Sequence, residues 1–246
     1  GSKDSIHIID LVQTLELTKT ALQEIHKCIS SGGRILFVST KKQASDTILA
    51  LAKDTSQFYV NHRWLGGMLT NWKTISNSIK RYKKLTEDLK NENTGFTKKE
   101  ILKMSIQRDK LERSLGGIAN MKKTPDLIFI IDTNVEALAV KEAQKLSIPI
   151  VAIVDTNSEP RGINFPIPGN DDARRAINLY CELIKETIQD AQKNIVTKDQ
   201  TDSEQAFSKK DSKKIETSKI DEVIKELVKK KLKKDSNNKK STSIIS

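Results

Sequence analysis

Apolar residues in this chain come in two alternating forms: short continuous runs, and stretches where they recur every three or four positions. Runs of strand length occur at Ser5 to Ile9, Arg34 to Ser39, Phe58 to Val60, Asp126 to Ile131 and Ile148 to Val154. Several are apolar at nearly every position, as expected of strands covered on both faces. Between them lie helical patterns. Asp10 caps one carrying Leu11, Leu15, Leu17, Leu22, Ile25 and Ile29, which Ser31-Gly32-Gly33 stops. A second carries Ala44, Ile48, Leu51 and Ala52, and a third Val135, Leu138, Ala139, Ala143 and Leu146. A last helix runs from Ala173 to Gln192, capped by Asn170, Asp171 or Asp172. Strands alternating with helices in this way predict an α/β fold, a doubly wound parallel sheet of the flavodoxin/Rossmann-like kind.

One stretch departs from the alternation. Trp72, Ile75, Ile79, Tyr82, Leu85 and Leu89 step by three and four, giving one helix with a narrow seam. Asn91 to Gly95 interrupts it, and Thr97 with Glu100 forms a capping-box pattern for a second helix. Ile101, Met104, Leu111 and Leu115 lie on its seam, Arg108 takes one apolar slot, and Gly116-Gly117 ends it. Two helices joined by a short polar turn predict an antiparallel hairpin, a coiled coil over 72–117 projecting from the sheet domain. Glu159 to Asp172 holds three of the five prolines and reads as a rigid, shaped loop.

From Lys193 onward the composition changes to Lys, Ser, Asp and Asn, without glycine, proline or tryptophan. This tail, 193–246, is expected to be mostly disordered. Ile220, Val223, Ile224, Leu227 and Val228 mark a candidate short amphipathic helix over 217–234. The sheet domain with its hairpin then occupies 1–192.

Charge narrows the class of partner. The chain has 246 residues, a net charge of +11 and 4% aromatic residues. The balance points to a polyanion, with RNA, DNA and an anionic membrane surface all open. The longest apolar runs are too short for a membrane-spanning helix, and no apolar stretch behind a basic N-terminus reads as a signal peptide. Cys28 and Cys181 stand far apart without a CxxC pattern, so both read as buried small apolar residues of a reduced compartment. His7 and His26 have no ligand types nearby at metal spacing.

The candidate chemistry concentrates in FYVNHRWLGGMLTNWKTISNSIKR, Phe58 to Arg81, which holds both tryptophans. Gly66-Gly67 allows close approach of another backbone or a phosphate. Arg63 and Trp64 offer a forked cation and a flat ring, the pair RNA sites use most. Each tryptophan taken alone reads more readily as a core aromatic, and only the string as a whole points to a binding site. Lys73, Lys80, Arg81, Lys83 and Lys84 follow on the outer face of the helix, either a phosphate-contacting cluster or a solvated face. Lys41 and Lys42, just after a strand, are phosphate-binding point charges or plain surface lysines. The turn they occupy has no glycine, and neither GxGxxG nor GxxxxGK[ST] is present. Asp132-Thr133-Asn134 and Asp155-Thr156-Asn157 end two strands, as turn and cap residues or as an enzyme's ligand groups. Arg174 and Arg175 sit in a helix's first turn, unfavourable for cations unless an acidic partner or Asp171 and Asp172 offset it.

NHRWLGGMLTNWKTISNSIKR resembles the signature segment of bacterial ribosomal small-subunit protein two. The likeness continues through Ser114 to Ile118 (SLGGI), Pro125 to Asn134, Ile148 to Pro160 and Phe165 to Ala176, covering residues 6 to 190 in the family's order. The resemblance implies a structural ribosomal protein, ribosome-bound in a bacterial cytoplasm or an organelle. Its partners would be small-subunit rRNA at the junction of head and body, neighbouring small-subunit proteins, and ribosomal protein one. It implies no catalysis, cofactor, membrane or small-molecule substrate. The candidate RNA-binding residues are Arg63, Trp64, Gly66, Gly67, Lys73, Lys80, Arg81, Lys83, Lys84, Lys41 and Lys42. The family carries a further N-terminal segment rich in His, Trp and basic residues ahead of Ser5, so a fragment or a divergent lineage is expected. A nucleotide-dependent enzyme on a doubly wound sheet and a basic protein-interaction module are the alternatives.

Overall fold

The computed structural model describes residues 1–4, 6–90 and 96–201. Strands β1 (Ser2–Lys3) and β2 (Ile6–His7) pair antiparallel in a small hairpin of their own. The strand expected over Ser5 to Ile9 is therefore shorter and outside the main sheet. Helix α1 (Leu11–Ser30) follows, with the Asp10 carboxylate accepting from Val12 N. Then come β3 (Ile35–Val38), α2 (Lys42–Asp54), β4 (Phe58–Val60), α3 (Trp72–Asp88) and α4 (Lys98–Leu115). A 3-10 turn (Gly116–Ile118) leads on to β5 (Leu127–Ile131), α5 (Ala137–Lys145), β6 (Ile150–Val154), β7 (Phe165–Pro168) and α6 (Arg174–Thr201).

The five-stranded sheet has the order β4-β3-β5-β6-β7, parallel throughout. Strand order reverses beside β3, so the crevice at the carboxyl ends of β3 and β5 is where a fold of this kind binds ligands. Every residue of β3, β5 and β6 is buried, which is why these strands read as unbroken apolar runs. One face packs on α1, α2 and α6 through Ile25, Ile48, Ile184 and Ile188, with Phe37 edge-on to Phe129 at 5.9 Å. The other packs on Ala139 and Ala143 of α5, Ile75 and Ile79 of α3, Leu115, Ile118 and Trp64. The sheet is covered on both sides, as the alternation predicts. Among the described residues no helix is long and apolar enough to cross a membrane.

Strand β7 lies within the stretch read as a rigid loop, where its prolines hide it. An edge strand has one partner only, and Gly169 N donates to Val154 O at 3.0 Å. By strand alternation Phe165 and Ile167 face β6 in the same sense. The missing N–H groups of Pro166 and Pro168 then fall on the free edge, where they cost no ladder bond. The opening turns of α1 also depart from expectation: Leu11 and Leu15 are exposed, while Thr14 and Thr18 are buried. Thr14 Oγ1 donates to Pro168 O at 2.7 Å, tying α1 to the end of β7.

Helices α3 and α4 pack against each other, and the Thr97–Glu100 capping box is present with both of its bonds. Arg108, in its apolar slot, turns to Asp109 instead. Helix α4 ends at Leu115 as predicted, with Gly116 at its C-cap where the chain passes into the 3-10 turn, and the adjacent Gly117 is required by crowding. A Cβ at Gly117 would collide with Tyr59 O of β4, a backbone atom with no rotamer to escape into. Gly117→Ala is expected to cost about 1–3 kcal/mol through overpacking, read as a lowered urea midpoint. Helix α6 runs past Gln192 to Thr201. The Asn91 to Gly95 turn and the candidate helix over 217–234 lie outside the described residues, as does the tail from 202 onward.

Candidate nucleic-acid interface

The Trp64–Thr70 segment closes around a carboxylate of its own chain. Glu142 projects from the buried side of α5, between Ala139 and Ala143. Its Oε1 accepts from Trp64 Nε1 at 3.0 Å and Gly67 N at 2.7 Å. Its Oε2 accepts from Leu69 N at 2.9 Å, Thr70 N at 3.0 Å and Thr70 Oγ1 at 3.1 Å. Gly67 holds φ at +81°, the left-handed backbone that turns its N–H inward. Burial pushes the Glu142 carboxyl up, but the donors from Thr70, Leu69, Trp64 and Gly67 outweigh it and hold it below the ordinary range. A depressed folded value means the loop's tether is complete above the unfolded pKa and is lost as pH falls through the folded one. Trp64 fluorescence is expected to stay native through the ordinary glutamate range and shift only below it.

This arrangement corrects the part assigned to Trp64. The ring is 7% exposed and belongs to the core beneath α3 and α5, so it offers no face for a base. The N–H that Gly67 turns inward is taken by Glu142 rather than left for a phosphate, and a Cβ there would meet Asn71 Cβ at 3.3 Å. Gly66 is exposed and faces open space. Glu142 itself escaped the sequence reading, although a lone acid between two alanines on a helix's apolar face marks it.

The ligand crevice of the sheet is likewise filled from within. Lys41 Nζ lies 2.7 Å from Asp132 Oδ2, 2.9 Å from Asp171 Oδ1 and 2.7 Å from Asp172 Oδ1. Burial pulls the ammonium down, yet the three carboxylates raise it above the ordinary lysine value. The two buried acids part company. Burial also pushes Asp132 up, but Lys41 and the N–H groups of Val135 and Asn134 bring it below the usual range. Asp171 has fewer donors, and burial leaves it raised. Thr40 N donates to Glu136 Oε1 at 2.6 Å, closing the turn after β3. Lys41 is thus spent inside the chain and is not available to phosphate. Asp132 serves as a turn residue, with φ at +68°, and Asn170 Oδ1 caps α6 by accepting from Asp172 N and Ala173 N.

The remaining candidates come together on the surface. Arg63, Lys73, Lys80, Arg81, Lys83 and Lys84 are all exposed, and Lys42 is exposed at the start of α2. Ile75 and Ile79 turn into the core, which leaves Lys73, Asn77, Lys80 and Lys84 in one row on the opposite face of α3. Lys83 Nζ donates to Asn120 Oδ1 at 3.4 Å. Among the described residues none of Arg63, Lys73, Lys80, Arg81 and Lys84 pairs with a carboxylate. Their charge therefore faces outward undiminished, beginning just ahead of the Glu142-bound loop and continuing just beyond it.

Comparison with known proteins gives one family. The family model described as Ribosomal protein S2 matches residues 1–191. The small ribosomal subunit protein uS2 of Parvibaculum lavamentivorans is 57% identical over 190 residues, covering 77% of this chain and 75% of the relative. That of Gluconacetobacter diazotrophicus is 57% identical over 190 residues, covering 77% and 73%. That of Rhizobium leguminosarum bv. trifolii is 59% identical over 184 residues, covering 75% and 72%.

Proposed function

The chain belongs to the ribosomal protein S2 family and is a structural constituent of the small ribosomal subunit, not an enzyme; from that premise we propose that it binds small-subunit rRNA at the junction of head and body. The contacts in this reading are Arg63, Lys73, Lys80, Arg81, Lys83 and Lys84, with Lys42 as an outlying phosphate contact. The paired helices α3 and α4 act as a projecting arm, and the body of the sheet helps dock ribosomal protein one. The protein works ribosome-bound in the bacterial cytoplasm.

One observation carries the reading. A single outward face of α3 keeps its cations unpaired, while the crevice in which a nucleotide-binding relative of this fold would act is occupied by Lys41 and its carboxylates. Phosphates neutralised along that face release counterions, which favours binding and makes it salt-dependent. The test is filter binding of the full chain to small-subunit rRNA over a salt series. Neutralising about four to six phosphates gives a log–log slope of about −3 to −5, and a flat salt response would point to the protein-interaction alternative.

A further inference from the structure

We infer that Glu142 is a positioning residue for the RNA-facing surface: its carboxylate is an internal anion that fixes the 64–70 loop, and with it the directions of Arg63 and the first turn of α3. The inference rests on the RNA-binding reading above and adds to it a residue that no nucleotide touches.

Converging backbone N–H groups form nests that elsewhere hold phosphates or other external anions. Here three N–H groups, an indole and a hydroxyl converge on one carboxylate supplied by a distant helix, more than seventy residues along the chain. The five donors span Trp64 to Thr70. Arg63 immediately precedes the first, and α3 with Lys73 begins two residues after the last. Within the loop, the backbone bonds Met68 N to Leu65 O at 3.0 Å and Asn71 N to Gly67 O at 2.8 Å are local turns that do not reach α5, while Trp64, Met68 and Leu69 pack in the same core cluster as Ala139 and Ala143 without fixing the loop's N–H groups. Ala139 and Ala143, the neighbours of Glu142 on that face, have no polar group to replace it. Among the described residues, Glu142 is therefore the polar link between α5 and both ends of the basic surface. Its negative charge also closes the nest to an RNA phosphate, so binding falls to the exposed cations on either side.

The amide in Glu142→Gln keeps the shape but puts an NH2 where donors converge. With the full-length variant folded at low temperature, rRNA affinity is expected to drop at least about tenfold, and the salt slope to shrink by the equivalent of about one to two phosphates. Ile184→Ala, in the core of the opposite face, serves as control: its thermal midpoint falls, but affinity and slope stay native once it is folded. Glu142→Ala, made in a Trp72→Phe background so that Trp64 is the only indole, leaves an open nest. Exchanging chloride for formate at constant ionic strength is expected to restore its Trp64 fluorescence and its rRNA affinity. Native affinity and slope in folded Glu142→Gln, or no response of Glu142→Ala to formate, would overturn the inference. So would failure of both variants to fold, which assigns Glu142 to stability alone. If the unaltered chain does not bind rRNA, the proposed function fails instead, and Trp64 fluorescence with formate still decides whether the nest exists.

Discussion

Replacing Lys41 with methionine is expected to remove about 3–5 kcal/mol of folding stability at neutral pH, one of the two largest effects anticipated for this chain. Methionine matches the length of the lysine stem, so little packing is sacrificed. The destabilisation comes from Asp132 and Asp171, whose side chains are 8% and 4% exposed and would be left charged without a counterion. Asp172, at 66%, returns to water and contributes little. The pH dependence separates this cause from a packing defect. In the native chain Asp132 sits below its unfolded value, so its share of stability is present at neutral pH and is lost as pH falls through the folded value. In Lys41→Met both acids would be raised, so acid relieves the penalty and stability rises as pH falls toward the ordinary carboxylate range. A rise of the urea midpoint toward acid that is steeper in Lys41→Met than in the native chain, where Asp171 is raised but Asp132 lowered, is the expected signature, and Lys41→Met/Asp171→Asn should recover part of the stability. Parallel slopes would show that the three carboxylates do not depend on Lys41.

The second large effect concerns binding rather than folding. Arg63→Ala/Lys80→Ala/Arg81→Ala removes three exposed cations that make no bond within the described residues, so the thermal midpoint is expected to stay close to native. Surface substitutions of this kind usually change stability by less than about 0.5 kcal/mol. Each phosphate left without its cation lowers the salt slope by about 0.7–0.9, and three together amount to a fall in rRNA affinity of roughly a hundredfold near physiological salt. The same substitution at Lys41, for all its proximity to a strand end, should change affinity only through unfolding. A triple variant that binds with native slope would move the RNA-binding surface away from α3.

The fold was legible where burial alone decides a residue's fate. The predicted face of α2, Ala44, Ile48, Leu51 and Ala52, is its buried face, and β3, β5 and β6 coincide with the continuous apolar runs. Legibility failed where a backbone or side-chain polar group outranks hydrophobicity. Thr14 is buried because Pro168 O needs a donor, while Leu11 beside it stays in water. Glu142 is buried and Leu138 exposed because a loop full of N–H groups lies over that face of α5. Strand β7 was hidden because its prolines are acceptable only at an edge, and edge status depends on sheet order, which no local pattern carries. The site divides along the same line. Exposed lysines on α3 could be placed from helical spacing. The parts of Trp64, Gly67 and Lys41 turned on partners seventy or more residues away, beyond the reach of any motif.

The most direct test is sedimentation of the tagged full chain from bacterial lysate through a sucrose gradient at moderate ionic strength. Migration with the small subunit, abolished at high salt and in the Arg63/Lys80/Arg81 alanine variant, is the expected pattern. A chain recovered at the top of the gradient under conditions that keep small subunits intact would be incompatible with a scaffold held to rRNA by the face of α3.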